Sequence, residues 1–337
     1  MWLLPFLSRP EDTFLPILAE RRELKFPDGT CLRTPILIPS FSSRIPNVEK
    51  IFRTGEEFID GPILISAYDV KHKHLNPPFD LGNAIFLDSG GYEASTDSDL
   101  SDVSSLPPQG NDWTESEHLG VLTNWVSKVP AVIISYDHPK VRLSLPKQIA
   151  AAADLALPKN ALREILIKPE TDDQHFVQID SIRKNIHGLS KFDIIGVTEK
   201  EIGNSVLERM EHIATMRLAL NKAGIGSPIH VFGSLDTITT LFYFVAGADI
   251  FDGLTWLRYA FKDGRTLYRQ DFGITDLGIA AKFPRVEALC WARNYQYMKE
   301  MELEMRRFLK GNDFRVFKYH GDKLKAAFQS IDEEVKV

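Results

Sequence analysis

The chain has 337 residues, 44% hydrophobic and 26% charged, and carries a net charge of −6. That is ordinary globular composition; it excludes a polybasic protein that coats a polyanion wholesale, though not one with a local basic stripe. No apolar run reaches the roughly 18 residues of a membrane span, and "MWLLPFL" at the start lacks a basic flank and a cleavage site, so a cytoplasmic protein with no membrane partner is expected.

Taken in chain order, short apolar, β-branched runs alternate with stretches of helical spacing. The runs are "TPILIPSF" (34–41), "GPILISAYDV" (61–70), "AIFLDSGG" (84–91), "AVIISYDHP" (131–139), "REILIKPE" (163–170), "FDIIGVTEK" (192–200), "SPIHVFGS" (227–234) and "ADIFDGLTW" (248–256). Continuous rather than alternating apolarity means burial on both faces, hence a parallel sheet. Between them, "SVLERMEHIATMRLALNKAG" (205–224) reads as an amphipathic helix with a glycine stop. Eight such units predict an α/β fold, a (β/α)8 TIM-type barrel, with a doubly wound open sheet as the alternative. The Ser/Asp/Pro-rich stretch 94–118 predicts a long polar loop in which Trp113 is an anchor. From 284 to 337 the pattern is helical, so the chain divides into a barrel over 1–283, with an N-terminal strand region, and a helical C-terminal extension. Cys31 and Cys290 are the two cysteines, expected to be reduced and buried.

Asp88, Asp137, Lys168, Glu199 and Asp252 each fall at or just past the C-terminal end of an apolar run. In a barrel that end is the mouth, where chemistry is built. A single such Asp is as readily a helix N-cap; several at one end predict a site. Asp88 in "FLDSGGYE" and Asp252 in "DIFDGLTW" stand out as two carboxylates on separate strands. Convergent carboxylates suit displacement at an anomeric carbon, where one attacks and the other moves protons. Gly90 and Gly91 let a flat ligand approach the backbone, and Tyr92 offers a stacking face.

These stretches resemble, in order, the motifs of the tRNA-guanine transglycosylase superfamily, whose members exchange guanine for a 7-deazaguanine through a covalent enzyme–nucleic acid intermediate. Asp88-Ser89-Gly90-Gly91-Tyr92 is similar to its DSGG(F/Y)Q motif, with Glu93 in place of the glutamine. Phe251-Asp252, with Arg258 and Ala260 in register, resembles the nucleophile motif. Tyr136-Asp137-His138-Pro139, Ile195-Gly196-Val197-Thr198-Glu199 and Phe232-Gly233-Ser234 resemble three further segments, so the likeness spans about residues 60–270. It implies that Asp252 is the nucleophile and Asp88 the general base. It also implies that Ser89, Asp137 and Gly196 read the purine edge, and that Tyr92 and Phe232, beside Gly233, sandwich the ring. The implied partners are a nucleic acid and a 7-deazaguanine base such as preQ0, with protein partners for strand opening open.

The departures bear on the substrate. The family's C-x-C-x-x-C…His zinc site has no counterpart, since only Cys290 lies in that region, so no metal and no cofactor are expected. Lys168-Pro169-Glu170 replaces a Gln-Gly, and Trp256 replaces a proline. Loss of the zinc subdomain favours DNA over tRNA and places the chain nearest in character to the DpdA-type DNA 7-deazaguanine transglycosylases. A tRNA enzyme working without that subdomain, a catalytically silent nucleic-acid-binding paralogue, and an unrelated barrel enzyme on a phosphorylated substrate are the alternatives. Arg258, Lys262 and Arg265, just after the nucleophile, are expected at the nucleic-acid backbone. Lys71 and Lys73 in "KHKH" are either phosphate contacts or a solvated loop, and Glu199 either a ligand or a helix cap.

Overall fold

The computed structural model describes residues 16–95, 100, 106–107, 113–138 and 140–335. The N-terminal "MWLLPFL", most of the stretch expected as a polar loop, and Pro139 of the Tyr-Asp-His-Pro segment lie outside the described residues.

Seven of the eight apolar runs contain a whole strand, and the run 163–170 holds most of one that begins at Ala161. The strands are β1 (Ile36–Pro39), β2 (Ile63–Ser66), β3 (Ile85–Asp88), β4 (Ala131–Ile134), β5 (Ala161–Ile167), β6 (Ile194–Thr198), β7 (Ile229–Phe232) and β8 (Ile250–Gly253). Every strand pair is parallel, in the spatial order β1-β8-β7-β6-β5-β4-β3-β2. The two end strands approach through a parallel Ser40–Leu64 bridge and a Phe41 N–H to Leu64 carbonyl hydrogen bond of 2.9 Å. The sheet is therefore a nearly closed barrel wrapped by helices, consistent with the TIM type. Burial explains the apolar runs: all residues of β1, β2, β4, β7 and β8 are buried, because the strands face the barrel interior on one side and helices on the other.

The helix Val206–Lys222 starts where the Ser205 side chain accepts from the Glu208 N–H, and Gly224 lies just past its end with φ +70°. At the N-terminal end of the barrel, Asp249 joins three segments. Its carboxylate accepts from Arg22 Nη1 at 2.7 Å, Arg217 Nη2 at 2.6 Å and the Ile229 N–H at 2.8 Å.

After β8 come a short hairpin (Ala260–Lys262 with Arg265–Leu267) and two long helices, Phe283–Gly311 and Gly321–Glu334. Met298, Met301, Met305 and Phe308 of the first belong to the same buried cluster as the barrel's outward-facing strand residues. Cys290 is buried as expected, but Cys31 is exposed: it opens a three-residue hairpin strand whose middle residue, Leu32, takes the inward position. Among the described residues no helix is long and apolar enough to cross a membrane.

Candidate active site

Because all eight strands are parallel, their C-terminal ends meet at one mouth, where a cleft of about 980 Å³, open mouth included, is lined by Asp88, Asp137, Lys168, Glu199 and Asp252. Ser89, Gly91, Tyr92, Phe232 and Gly233 also line it, whereas Gly90 and Gly196 stand behind the wall. Each of those two glycines has a steric reason for its place. At Gly90 (φ +91°) a Cβ would come within 2.4 Å of the Tyr68 Cβ; at Gly196 it would lie 2.6 Å from the Phe232 ring and 2.9 Å from Glu164 Oε1.

Asp88 ends β3, where the Gly90 N–H donates to its Oδ2 at 2.9 Å. Burial pushes its carboxyl up to about 7, and the neighbouring charges of Asp137 and Asp252 add to the rise. The turn that follows is braced from behind: buried Trp113 donates its indole N–H to the Ser89 carbonyl at 2.8 Å, the anchoring role expected for it. Ser89 Oγ in turn accepts from the Asp137 N–H at 3.2 Å. Glu93 is buried and takes the Ser42 hydroxyl at 2.5 Å; burial, with Asp69 and Asp88 nearby, holds its carboxyl well above the usual range. A neutral Glu93 carboxyl has nearly the shape of a glutamine amide and, like it, offers both a donor and an acceptor.

Asp252, three strand positions from Asp88 around the ring, is held by both oxygens. Oδ2 accepts from Ser40 Oγ at 2.8 Å, and Oδ1 accepts from the Gly233 N–H at 3.1 Å. His230 Nε2 lies 3.2 Å from the same Oδ1, while its Nδ1 is 2.8 Å from Glu164 Oε1. Both His230 and Glu164 are fully buried.

The facing wall is a network of opposite charges. Lys168 Nζ donates to Glu201 at 2.6 Å and lies 3.3 Å from Asp137, and Arg142 approaches the same two carboxylates at 3.4 and 3.7 Å. Burial works to lower the Lys168 ammonium's pKa, but the charges of Asp137 and Glu201 raise it on balance, so the side chain stays cationic. Glu199 accepts from the Tyr243 hydroxyl at 2.7 Å.

No protein-family model matches the chain, and no curated protein matches its sequence. The site rests on its own geometry.

Among the two expected stacking residues, Tyr92 carries the Arg44 guanidinium 4.7 Å above its ring and accepts a 2.7 Å hydrogen bond from Arg258. Phe232 lies on the His230 imidazole, with centroids 3.9 Å apart. Of the basic residues expected at a nucleic-acid backbone, Arg258 is buried in that contact with Tyr92, and Lys262 pairs with Asp276 at 2.5 Å. Arg265, Lys71 and Lys73 are exposed. Among the described residues no group of three or more His, Cys, Asp or Glu side chains is arranged to hold a metal ion.

Sequence reasoning passed over Ser40, Arg142, Glu164 and His230. His230 did carry a signal, as the one ionisable residue inside the apolar run 227–234, whereas Glu164 sits beside Arg163 at the start of its run and reads as an ordinary charged strand entry. A buried strand tolerates a residue like His230 only when it is paired.

Proposed function

We propose that the cleft is the active site of a guanine transglycosylase acting on nucleic acid, DNA in preference to tRNA, with a 7-deazaguanine such as preQ0 as the incoming base and a TIM-type barrel without a zinc subdomain as its frame. The observation that carries this reading is the pairing of Asp88 and Asp252. The two carboxylates line one cleft from separated strands, and their surroundings treat them differently.

In this mechanism an Asp252 oxygen attacks C1′ of the target nucleotide. The C1′–O bond forms as the C1′–N9 bond breaks, and the electron pair leaves on the guanine, which takes up a proton. Asp88, half-buried at the strand end and with its carboxyl pushed up to about 7, is suited to give that proton. As the resulting carboxylate it accepts the proton that the 7-deazaguanine must lose to attack C1′, and the Asp252 ester opens. The lining rings of Tyr92 and Phe232 offer apolar contact to a base, and Asp137 beside cationic Lys168 offers an acceptor next to a donor. The target nucleotide must leave its stack to enter, at a cost of a few kcal/mol.

The test is nucleoside mass spectrometry of DNA and of tRNA after incubation with the protein and preQ0. Incorporation into DNA, with a protein–nucleic acid adduct that survives denaturation, is expected, and Asp252→Asn should abolish both. A stable and fully active Asp252→Asn protein would end the proposal, and incorporation confined to tRNA would reverse the choice of substrate.

A further inference from the structure

Beneath the cleft, β5, β7 and β8 bring one imidazole between two carboxylates. Glu164 Oε1 is 2.8 Å from His230 Nδ1, and Asp252 Oδ1 is 3.2 Å from His230 Nε2. The group is sealed. His230 and Glu164 have no exposed side-chain surface, Phe232 stacks on one ring face at 3.9 Å, and Phe86 from β3 meets the ring edge-on at 5.9 Å. Among the described residues neither Glu164 Oε2 nor His230 Nε2 has a hydrogen-bond partner, so Nε2 meets Asp252 Oδ1 as a charge contact at 3.2 Å, and nothing but His230 compensates the Glu164 carboxylate.

We propose, resting on the reading of Asp252 as nucleophile, that His230 backed by Glu164 is a positioning residue that carries a proton under Asp252 Oδ1 and so assigns the attack on C1′ to Oδ2. The argument is one of charge and count. Two carboxylates facing a single imidazole in a dry interior cannot stay uncompensated, and the imidazole, alone in touching both, is placed to hold the proton. Burial acts to lower the basicity of His230, but the Glu164 and Asp252 carboxylates overcome it and raise the imidazole to about 9. They are the titratable groups whose charges act on it; Phe232 and Phe86 contribute only rings.

The two oxygens of Asp252 then differ. Oδ1 faces a cation and the Gly233 N–H, whereas Oδ2 meets only the neutral Ser40 hydroxyl. The less neutralised oxygen is the better nucleophile. When the C1′–Oδ2 bond forms, Oδ1 becomes the ester carbonyl, still held. When the incoming base takes C1′, the electron pair returns to a carboxylate with a cation already beneath it. Burial holds the Glu164 carboxyl above its ordinary range, against the charge of His230, which works to lower it; as an ion pair the two orient Asp252 without adding net positive charge to the barrel interior.

The experiment is NMR of the full chain with isotope-labelled histidine rings, the His230 signals being assigned by their loss in His230→Gln. Both ring nitrogens of His230 are expected to be protonated at pH 7, with loss of the proton centred near 9 in the parent protein. Glu164→Gln, which keeps shape, and Asp252→Asn, at the cleft surface, should each move that midpoint down. A neutral His230 at pH 7, or a midpoint that neither variant moves, overturns the proposal. This readout needs no turnover, so it stands or falls separately from the transglycosylase reading. Where exchange is measured, Glu164→Gln should lower kcat by about 10- to 100-fold with KM for nucleic acid little changed. An unchanged kcat in a folded Glu164→Gln protein would also overturn it.

Discussion

The two carboxylates of the cleft are chemically equivalent residues that their neighbours make unequal. Asp252 accepts from a hydroxyl and a backbone N–H and lies 3.2 Å from an imidazole nitrogen; Asp88 receives the Gly90 N–H and otherwise faces burial and like charge. This difference has a thermodynamic signature. The unfolded chain ionises Asp88 near its ordinary value of about 3.9, the folded protein only near 7, so the folded state binds the proton more tightly. The contribution of Asp88 to stability is complete below about pH 4 and is lost as pH rises through 7, by at most about 1.4 kcal/mol per pH unit. Asp88→Asn removes that dependence while its amide oxygen can still accept from Gly90. In urea unfolding at pH 5 and pH 8, the variant should gain stability over the parent as pH rises, while base exchange is lost. An advantage equal at both values would show that Asp88 titrates normally. By the same reasoning Glu93→Gln should cost under about 1 kcal/mol and leave exchange near the parent rate, since a neutral carboxyl and an amide both accept from Ser42. Both aspartates were legible in the sequence because a carboxylate directly after an apolar run marks a strand end. His230 and Glu164 were not singled out: one ionisable letter in a strand says nothing of its partner, which lies on another strand 66 residues away.

At the scale of elements, all eight strands could be read from their apolar runs, because burial on both faces leaves an unbroken signature. The order of strands around the ring follows from the βα rhythm, since each crossover sets the next strand beside the last. What could not be read is the bracing that depends on side chains from distant segments. The clearest case is at the closed end of the barrel, where Asp249 binds Arg22 and Arg217 and anchors the start of β7 through the Ile229 N–H. Arg217 is fully buried, and desolvation pulls its guanidinium down to about 10 despite the Asp249 charge. Replacing it by Met leaves Asp249 with one cation where it had two. Breaking a buried pair in this way costs about 3–5 kcal/mol, to be read as a lower urea midpoint. Because this cluster sits at the end of the strands away from the mouth, KM for the nucleic acid should not change. A midpoint within experimental error of the parent would mean that Arg22 alone suffices.

Over the whole molecule, the helical region after β8 is tied into both the core and the site. Asn294, in the helix Phe283–Gly311, accepts from the Phe261 N–H and donates to the carbonyls of Trp256 and Tyr259, each at 2.7 Å. Trp256 donates its indole N–H to the Ser40 carbonyl at 3.0 Å, and Ser40 holds Asp252. The same helix presents Glu302, whose carboxylate takes the Leu37 N–H of β1 at 3.0 Å, and it buries Met298, Met301, Met305 and Phe308. Removing it would strip an apolar face from the barrel and leave the Leu37 N–H and the Trp256 and Tyr259 carbonyls without these partners. Each fully buried side chain of this size contributes about 1.5–3 kcal/mol, and four of them together approach the whole stability of a typical domain. A chain ending at Lys282 should therefore lack a cooperative thermal transition, while the full chain shows one by circular dichroism. Asn294→Ala offers the finer cut: it should fold, lose about 2–4 kcal/mol for its three buried hydrogen bonds, and lower kcat by loosening Trp256, Ser40 and Asp252 in turn. If the shortened chain melts cooperatively at the temperature of the full one, the helix is an appendage and the route from Asn294 to Asp252 carries no load.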